Sequence, residues 1–268
     1  MAAALITILS ILLASAWAII NHAAWWKGIL MFVAAFVSLN ILFIAFFAIV
    51  SLFTDDTKPI RKQRPICRFG CAEIASLICS YVGVKVHVSG EEKLPPNSGF
   101  LLVSNHVSMF DPISVAAALR KHNISFVSKP ENMKIPIAGK LSYGAGYLPI
   151  NRENNREALK TILTAAQYLK DGICSVAIYP EGTRSKDGNM LPFHSGSFKI
   201  CQKADAPLVI MATIGTEKVT QRLFRRNDVY LEILETVPAE ICKKMKTSEL
   251  SKHARNLIGQ AIEGFAGQ

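Results

Sequence analysis

Charge is nearly absent from the first 54 residues, where Lys27 is the only Lys, Arg, Asp or Glu. Over all 268 residues charged types reach 19%, short of the roughly 25% of an ordinary soluble domain, while hydrophobic types make up 50%. Such a composition excludes a disordered or fibrous chain. The six cysteines (Cys67, Cys71, Cys79, Cys174, Cys201 and Cys242) form no C-x-x-C pair, which argues against a zinc site. They read as small apolar side chains of a reduced compartment, which places the water-soluble part in the cytosol. No zinc-finger or RNA-binding signature, internal repeat or low-complexity tract occurs, so nucleic acid is not an expected partner. A G-x-S-x-G nucleophile elbow is missing too.

What the chain does have is two long uncharged runs. Ala2–Ile20 has 19 residues and Ile29–Phe53 has 25; as helices they would reach roughly 28 and 37 Å, enough for a bilayer core of about 30 Å. Residues 21–28 between them, with Trp25, Trp26 and Lys27, suit a turn at the lipid–water boundary. Ala14-Ser15-Ala16 resembles a signal-peptide cleavage site, but no Lys or Arg precedes it and a second apolar run follows at once. The expected arrangement is a retained, membrane-anchoring helical hairpin over residues 1–57, followed by an independent domain over 58–268. Span lengths permit a full crossing or a dip into one leaflet. The basic run Lys58, Arg61, Lys62, Arg64 and Arg68 stays inside by the positive-inside rule, which puts the domain on the cytoplasmic face. Beyond residue 54 lie 29 basic and 20 acidic side chains, a balance of +9 that favours an anionic partner such as a membrane surface or a phosphorylated substrate.

From residue 66 onward helical and strand periods alternate. Helices are expected over 66–82, 111–121, 158–169 and 195–204 and from about Ser248; strands are expected over 84–88, 100–103, 124–127, 147–150, 175–179, 208–214 and 229–234. This order predicts an α/β domain with a mostly parallel central sheet flanked by helices, whose chemistry gathers at the carboxyl ends of the strands.

Three segments sit at such ends. Asn105-His106-Val107-Ser108-Met109-Phe110-Asp111 follows the 100–103 strand. A five-residue turn would bring the Asp111 carboxylate to one imidazole nitrogen of His106 and leave the other as a general base. The plainer alternative has Asp111 capping the next helix, with Pro112 at its first position, and His106 filling a loop. Tyr179-Pro180-Glu181-Gly182-Thr183-Arg184-Ser185 follows another strand; Gly182 admits a close ligand and Arg184 offers a fork of donors to phosphate, unless Glu181 and Arg184 are a plain surface pair. Arg152 ends the third, Gly144 to Arg152. Any one of these arginines alone would read as solvated. One sheet edge gathering all three segments is harder to set aside.

The four blocks 105–111, 146–152, 179–185 and Ala206-Pro207-Leu208-Val209-Ile210 resemble, in content and order, the glycerolipid acyltransferase family, and within it the 1-acylglycerol-3-phosphate acyltransferases. Tyr179 stands where that family often has Phe, and His194 where it commonly has the lysine of F-K-x-G, with Lys199 the expected substitute. The resemblance implies acyl transfer from a thioester, acyl carrier protein or acyl coenzyme A, to the 2-hydroxyl of lysophosphatidic acid drawn from the membrane, giving phosphatidic acid. It implies His106 as base and Asp111 as its orienting partner, with Arg152, Glu181, Gly182, Thr183 and Arg184 binding substrate. No bound cofactor or metal is implied. The same fold acting on another lysolipid is the nearest alternative. A hydrolase using Ser108 or Ser197 would instead form an acyl-serine, and a non-catalytic anchored module would bind anionic lipid without releasing thiol. Residues 220–226, basic and partly apolar, read as a solvated face, with lipid docking as the other possibility.

Overall fold

The computed structural model describes residues 2–56, 60–96, 99–185 and 189–266. Lys58 of the basic run and the expected boundary between residues 57 and 58 fall outside the described residues. The chain opens with α1 (Ala2–Ile20) and α2 (Trp25–Leu52), among the described residues the two helices long and apolar enough to cross a membrane. The turn between them is shorter than expected: Trp25, Trp26 and Lys27 already belong to the first turn of α2. Hydroxyls inside these apolar helices are satisfied locally, Ser10 donating to the Ile6 carbonyl and Ser51 to that of Ala48.

The head begins with α3 (Pro65–Tyr81), β1 (Val84–Ser89), β2 (Leu101–Ser104), α4 (Phe110–Ala118), β3 (Ile124–Ser128), α5 (Ala138–Gly144) and β4 (Leu148–Pro149). It continues with α6 (Asn155–Lys170), β5 (Ser175–Ile178), α7 (Lys199–Ala204), β6 (Leu208–Ile214), β7 (Asn227–Val237), α8 (Ala239–Lys244) and α9 (Thr247–Ala266). The sheet order is β1-β7-β6-β2-β5-β3-β4. Every pairing is parallel except β6 with β7. Strands buried on both faces explain the near-continuous apolar runs of the sequence. In β2, Leu101 and Val103 enter the core shared with α6, α7 and α9, while Leu102 enters the opposite core with residues of α3 and α4. Each such fully buried side chain contributes roughly 1.5–3 kcal/mol.

Because β2, β3, β4, β5 and β6 run parallel, their carboxyl ends share one edge. The antiparallel turn of β7 brings its start, and the start of β1, to that same edge, as the pairs Ile214–Tyr230 and Val84–Asn227 record. Helix α3 therefore ends at this edge too, joined to β1 through Val82 and Gly83.

The hairpin leaves the head there. Helix α2 runs antiparallel along α3: Phe47 lies on Gly70, where a Cβ would stand 2.5 Å from the ring, and Tyr81 donates to Asn40 at 2.6 Å and meets Phe36. Helix α1 is tied at its start, where the buried Glu73 carboxylate accepts from the Ala2 N–H at 2.7 Å and from Arg120 at 2.6 Å. Past Phe36 the remaining turns of α2 back to Trp25 extend roughly 16 Å beyond α3. That is about half of a hydrocarbon core.

Candidate active site

His106 follows β2 by one residue, and a buried asparagine holds the strand end in place. Asn105 donates to the Thr213 carbonyl at 2.8 Å and accepts from the Thr213 N–H at 2.9 Å, fastening the end of β2 to β6. Asp111 is not the helix cap of the plainer alternative. Helix α4 starts at Phe110, so Asp111 sits in its first turn with no solvent exposure, and its carboxylate turns back into the preceding loop. Oδ2 accepts from His106 Nδ1 at 2.7 Å and from the N–H groups of Val107 and Ser108 at 2.9 Å each. Oδ1 accepts from the Thr216 hydroxyl. Four converging donors hold the carboxylate more strongly than capping one helix would.

An Nδ1–H aimed at Asp111 leaves Nε2 of His106 as an acceptor. The imidazole stacks on Tyr179, centroids 4.4 Å apart, and its residue's backbone N–H donates to Glu181 Oε1 at 2.6 Å. The other Glu181 oxygen accepts from the Leu191 N–H at 2.9 Å, so this buried carboxylate joins two loops. Burial pushes the Glu181 pKa up, and the two backbone donors oppose that rise. The Ser185 N–H donates to the His106 carbonyl, which locks the second motif onto the first.

A cavity of about 600 Å³ adjoins this pair. Its lining includes the polar or small residues Arg152, Glu181, Gly182, Thr183, His194 and Lys199 and the apolar residues Val127, Ile150, Leu159, Ile162 and Ile178. His106 does not line it but touches two residues that do, Tyr179 and Glu181. Arg184 is exposed and outside the lining, next in the chain to Thr183. Arg152 is exposed, yet partial desolvation draws its pKa below the arginine norm, Glu131 opposing; the guanidinium stays charged throughout. Lys199 lines the cavity. His194 and Ser197 also line it, but no hydrogen bond joins His106 to Ser197 or Ser108 among the described residues, and Ser108 Oγ accepts from the Phe110 N–H. No cluster of three His, Cys, Asp or Glu suited to a metal occurs among the described residues.

Gly182 has φ +73°, and a Cβ there would stand 3.0 Å from the His194 ring. Gly182→Ala is expected to cost roughly 1–2 kcal/mol from the left-handed backbone alone, read as a thermal midpoint lowered by about 2–8 °C. Gly196 lines the same cavity with nothing within 4 Å of its Cβ position; Gly196→Ala is the control and should leave the midpoint unchanged.

Sequence reasoning missed Thr216 and the structural part of Asn105. The partner of the first lies 105 residues away and that of the second 108, so no local pattern marks either.

Comparison with known proteins gives concordant results. Residues 85–213 match the family model described as Acyltransferase. The 1-acyl-sn-glycerol-3-phosphate acyltransferase alpha of Ovis aries is 29% identical over 177 residues, 65% of this chain and 61% of that protein. A 1-acyl-sn-glycerol-3-phosphate acyltransferase of Chlamydomonas reinhardtii is 30% identical over 67% of this chain and 56% of its own length. The chain thus spans less than two thirds of either relative. With the 1-acyl-sn-glycerol-3-phosphate acyltransferase of Salmonella typhimurium the identity is 27% over 224 residues, 83% of this chain and 88% of that one. The crystal structure of the 1-acyl-sn-glycerophosphate (LPA) acyltransferase PlsC from Thermotoga maritima shares the fold, with a TM-score of 0.67 at 23% identity over 85% of this chain and 90% of that one.

Proposed function

We propose that this chain, whose residues 85–213 match the Acyltransferase family model, moves an acyl group from a thioester to the 2-hydroxyl of 1-acyl-sn-glycerol 3-phosphate. The observation that carries the reading is the His106–Asp111 contact of 2.7 Å, with Asp111 wholly buried and a cavity alongside. His106 Nε2 takes the hydroxyl proton as the alcohol oxygen attacks the thioester carbonyl, and Asp111 stabilises the imidazolium that forms. Collapse of the tetrahedral intermediate breaks the carbon–sulfur bond, and the departing thiolate recovers the proton from His106. An activated donor makes an acyl-enzyme unnecessary.

Arg152 and Lys199 in the cavity and Arg184 beside Thr183 supply charge for the acceptor's phosphate. Gly182 and Thr183 leave room for backbone donors, and Glu181 holds the loops that face the glycerol. The hairpin enters one leaflet on the cytoplasmic side, which brings the sheet edge carrying His106 to the acceptor's own membrane. Acyl carrier protein and acyl coenzyme A are both anionic and both suit the basic head.

The test is thiol release by the full chain in lipid or detergent, from each donor, with and without lysophosphatidic acid. Release that depends on the acceptor and yields phosphatidic acid supports the reading. Release without acceptor, with a trapped acyl-serine, overturns it in favour of hydrolysis. Arg152→Gln is expected to raise KM for the phosphorylated acceptor roughly 10- to 100-fold, the range for losing a hydrogen bond to a charged group. Equal damage with a phosphate-free acceptor would remove Arg152 from that role.

A further inference from the structure

The segment between β6 and β7 ends in a tip whose outward side chains have no explanation in the head's own packing. Leu223 is 46% exposed and Phe224 80% exposed. Phe224 also holds φ +64°, a conformation that disfavours any bulky L-residue. The backbone on both sides of it is held by hydrogen bonds. The buried Asn227 side chain donates to the carbonyls of Arg222 at 3.0 Å and Arg225 at 2.8 Å, and its N–H donates to the Gly83 carbonyl at 2.8 Å. The tip is thus built to keep an aromatic ring in the open. Arg226 spends its charge on Asp228 in a two-pronged pair, while Arg222 and Arg225 are exposed beside the apolar pair.

Position decides what such a tip is for. Gly83, against which Arg225 packs, lies two residues past the end of α3, where Tyr81 grips Asn40 of α2 and the hairpin leaves the head. The tip therefore stands at the level from which roughly 16 Å of hairpin projects. Met109 and Ile135, each 51% exposed, lie on loops that follow β2 and β3 at the same sheet edge. An apolar tip flanked by arginines, level with the exit of an apolar hairpin, matches the boundary of a bilayer with anionic headgroups.

We propose that residues 222–226 are a second membrane contact, seating Leu223 and Phe224 in the headgroup boundary of an anionic bilayer with Arg222 and Arg225 on its phosphates. Two contacts, hairpin and tip, fix the head's tilt where the hairpin alone would let it swing, and the edge that carries His106 then faces the leaflet. The tip rests on the reading of the hairpin as membrane-inserted. It also shares its loop with Thr216, so the element that touches lipid is the one that holds Asp111.

The test uses the full chain in vesicles of phosphatidylcholine with phosphatidylglycerol. Its six native thiols are free and none is exposed, and burial pushes that of Cys71 up to about 12 and those of Cys79 and Cys174 up to about 11. A cysteine introduced by Phe224→Cys is therefore labelled selectively with a polarity-sensitive dye, and Lys170→Cys, at the opposite sheet edge, is the control. The dye at 224 should shift to the blue and be quenched by nitroxides placed near the headgroups, and the dye at 170 should do neither. Adding R222Q and R225Q should lower the docked fraction relative to undocked roughly 5-fold per arginine, and pure phosphatidylcholine should act likewise. A dye at 224 as wet as that at 170, while Trp25 and Trp26 are quenched by the bilayer, overturns the contact and spares the hairpin. Tryptophans that escape quenching overturn the hairpin reading and the tip with it. Shielding that follows protein concentration instead of lipid would assign the tip to a second copy and also overturn the proposal.

Discussion

His106→Ala is expected to lower kcat for acyl transfer by at least about 10²-fold, the usual share of a positioned general base, with the thermal midpoint nearly unchanged. The expectation of an intact fold comes from what the side chain does. Its hydrogen bond goes to Asp111, which keeps three other donors when the imidazole is removed. Its ring covers one face of Tyr179, and that area is replaced by water or a small cavity. The bonds that hold the loop, from the His106 N–H to Glu181 and from the Ser185 N–H to the His106 carbonyl, belong to the backbone and survive. Activity and stability should therefore separate. KM for the thioester should hold, since His106 does not line the cavity. A well-folded variant with ordinary turnover would remove the imidazole from the reaction.

Much of this site was legible in the sequence, because each motif is local. The hairpin announces itself by the lack of charge, and seven strands were recognisable from apolar runs placed between helical periods. Where the reading fell short, the missing information was long-range. Nothing near Asp111 reveals that Thr216 supplies its second oxygen, and the local signal of a carboxylate before a proline favours a cap that the tertiary fold overrides. Helix α5 was missed because its seven residues begin at Ala138, after Ile137 at φ +64°, and contain two glycines, a composition that reads as loop. Helix α8 is only six residues long and leaves no periodicity to detect. The strand 147–150 shrinks to two residues, Leu148 and Pro149, because a proline limits an edge strand. Residues 220–226 show the same limit from the other side. Composition alone makes them a solvated face, and only their place beside the hairpin's exit gives the exposed phenylalanine a use.

Asp111→Asn is expected to lower kcat by about 10²-fold or more, within the general-base range, and the pattern of the loss distinguishes a catalytic part from a structural one. The amide keeps the side chain's volume. With its oxygen toward His106, Val107 and Ser108, its nitrogen meets Thr216, whose hydroxyl can rotate from donor to acceptor. The fold should then hold and the imidazole keep its tautomer. What is lost is the negative charge 2.7 Å from the imidazolium formed in the transition state. Asp111→Ala should behave differently: it leaves the two backbone N–H groups and the Thr216 hydroxyl buried without an acceptor, at roughly 1–3 kcal/mol each. That is a large share of a typical stability of about 5–15 kcal/mol, and thermal unfolding should report it. Because Asp111 acts through His106, the effects of the two should not multiply. The double variant His106→Ala with Asp111→Asn should turn over no more slowly than His106→Ala alone. If the losses instead multiply, Asp111 works on the substrate or the fold independently of the imidazole, and the assigned pairing is wrong.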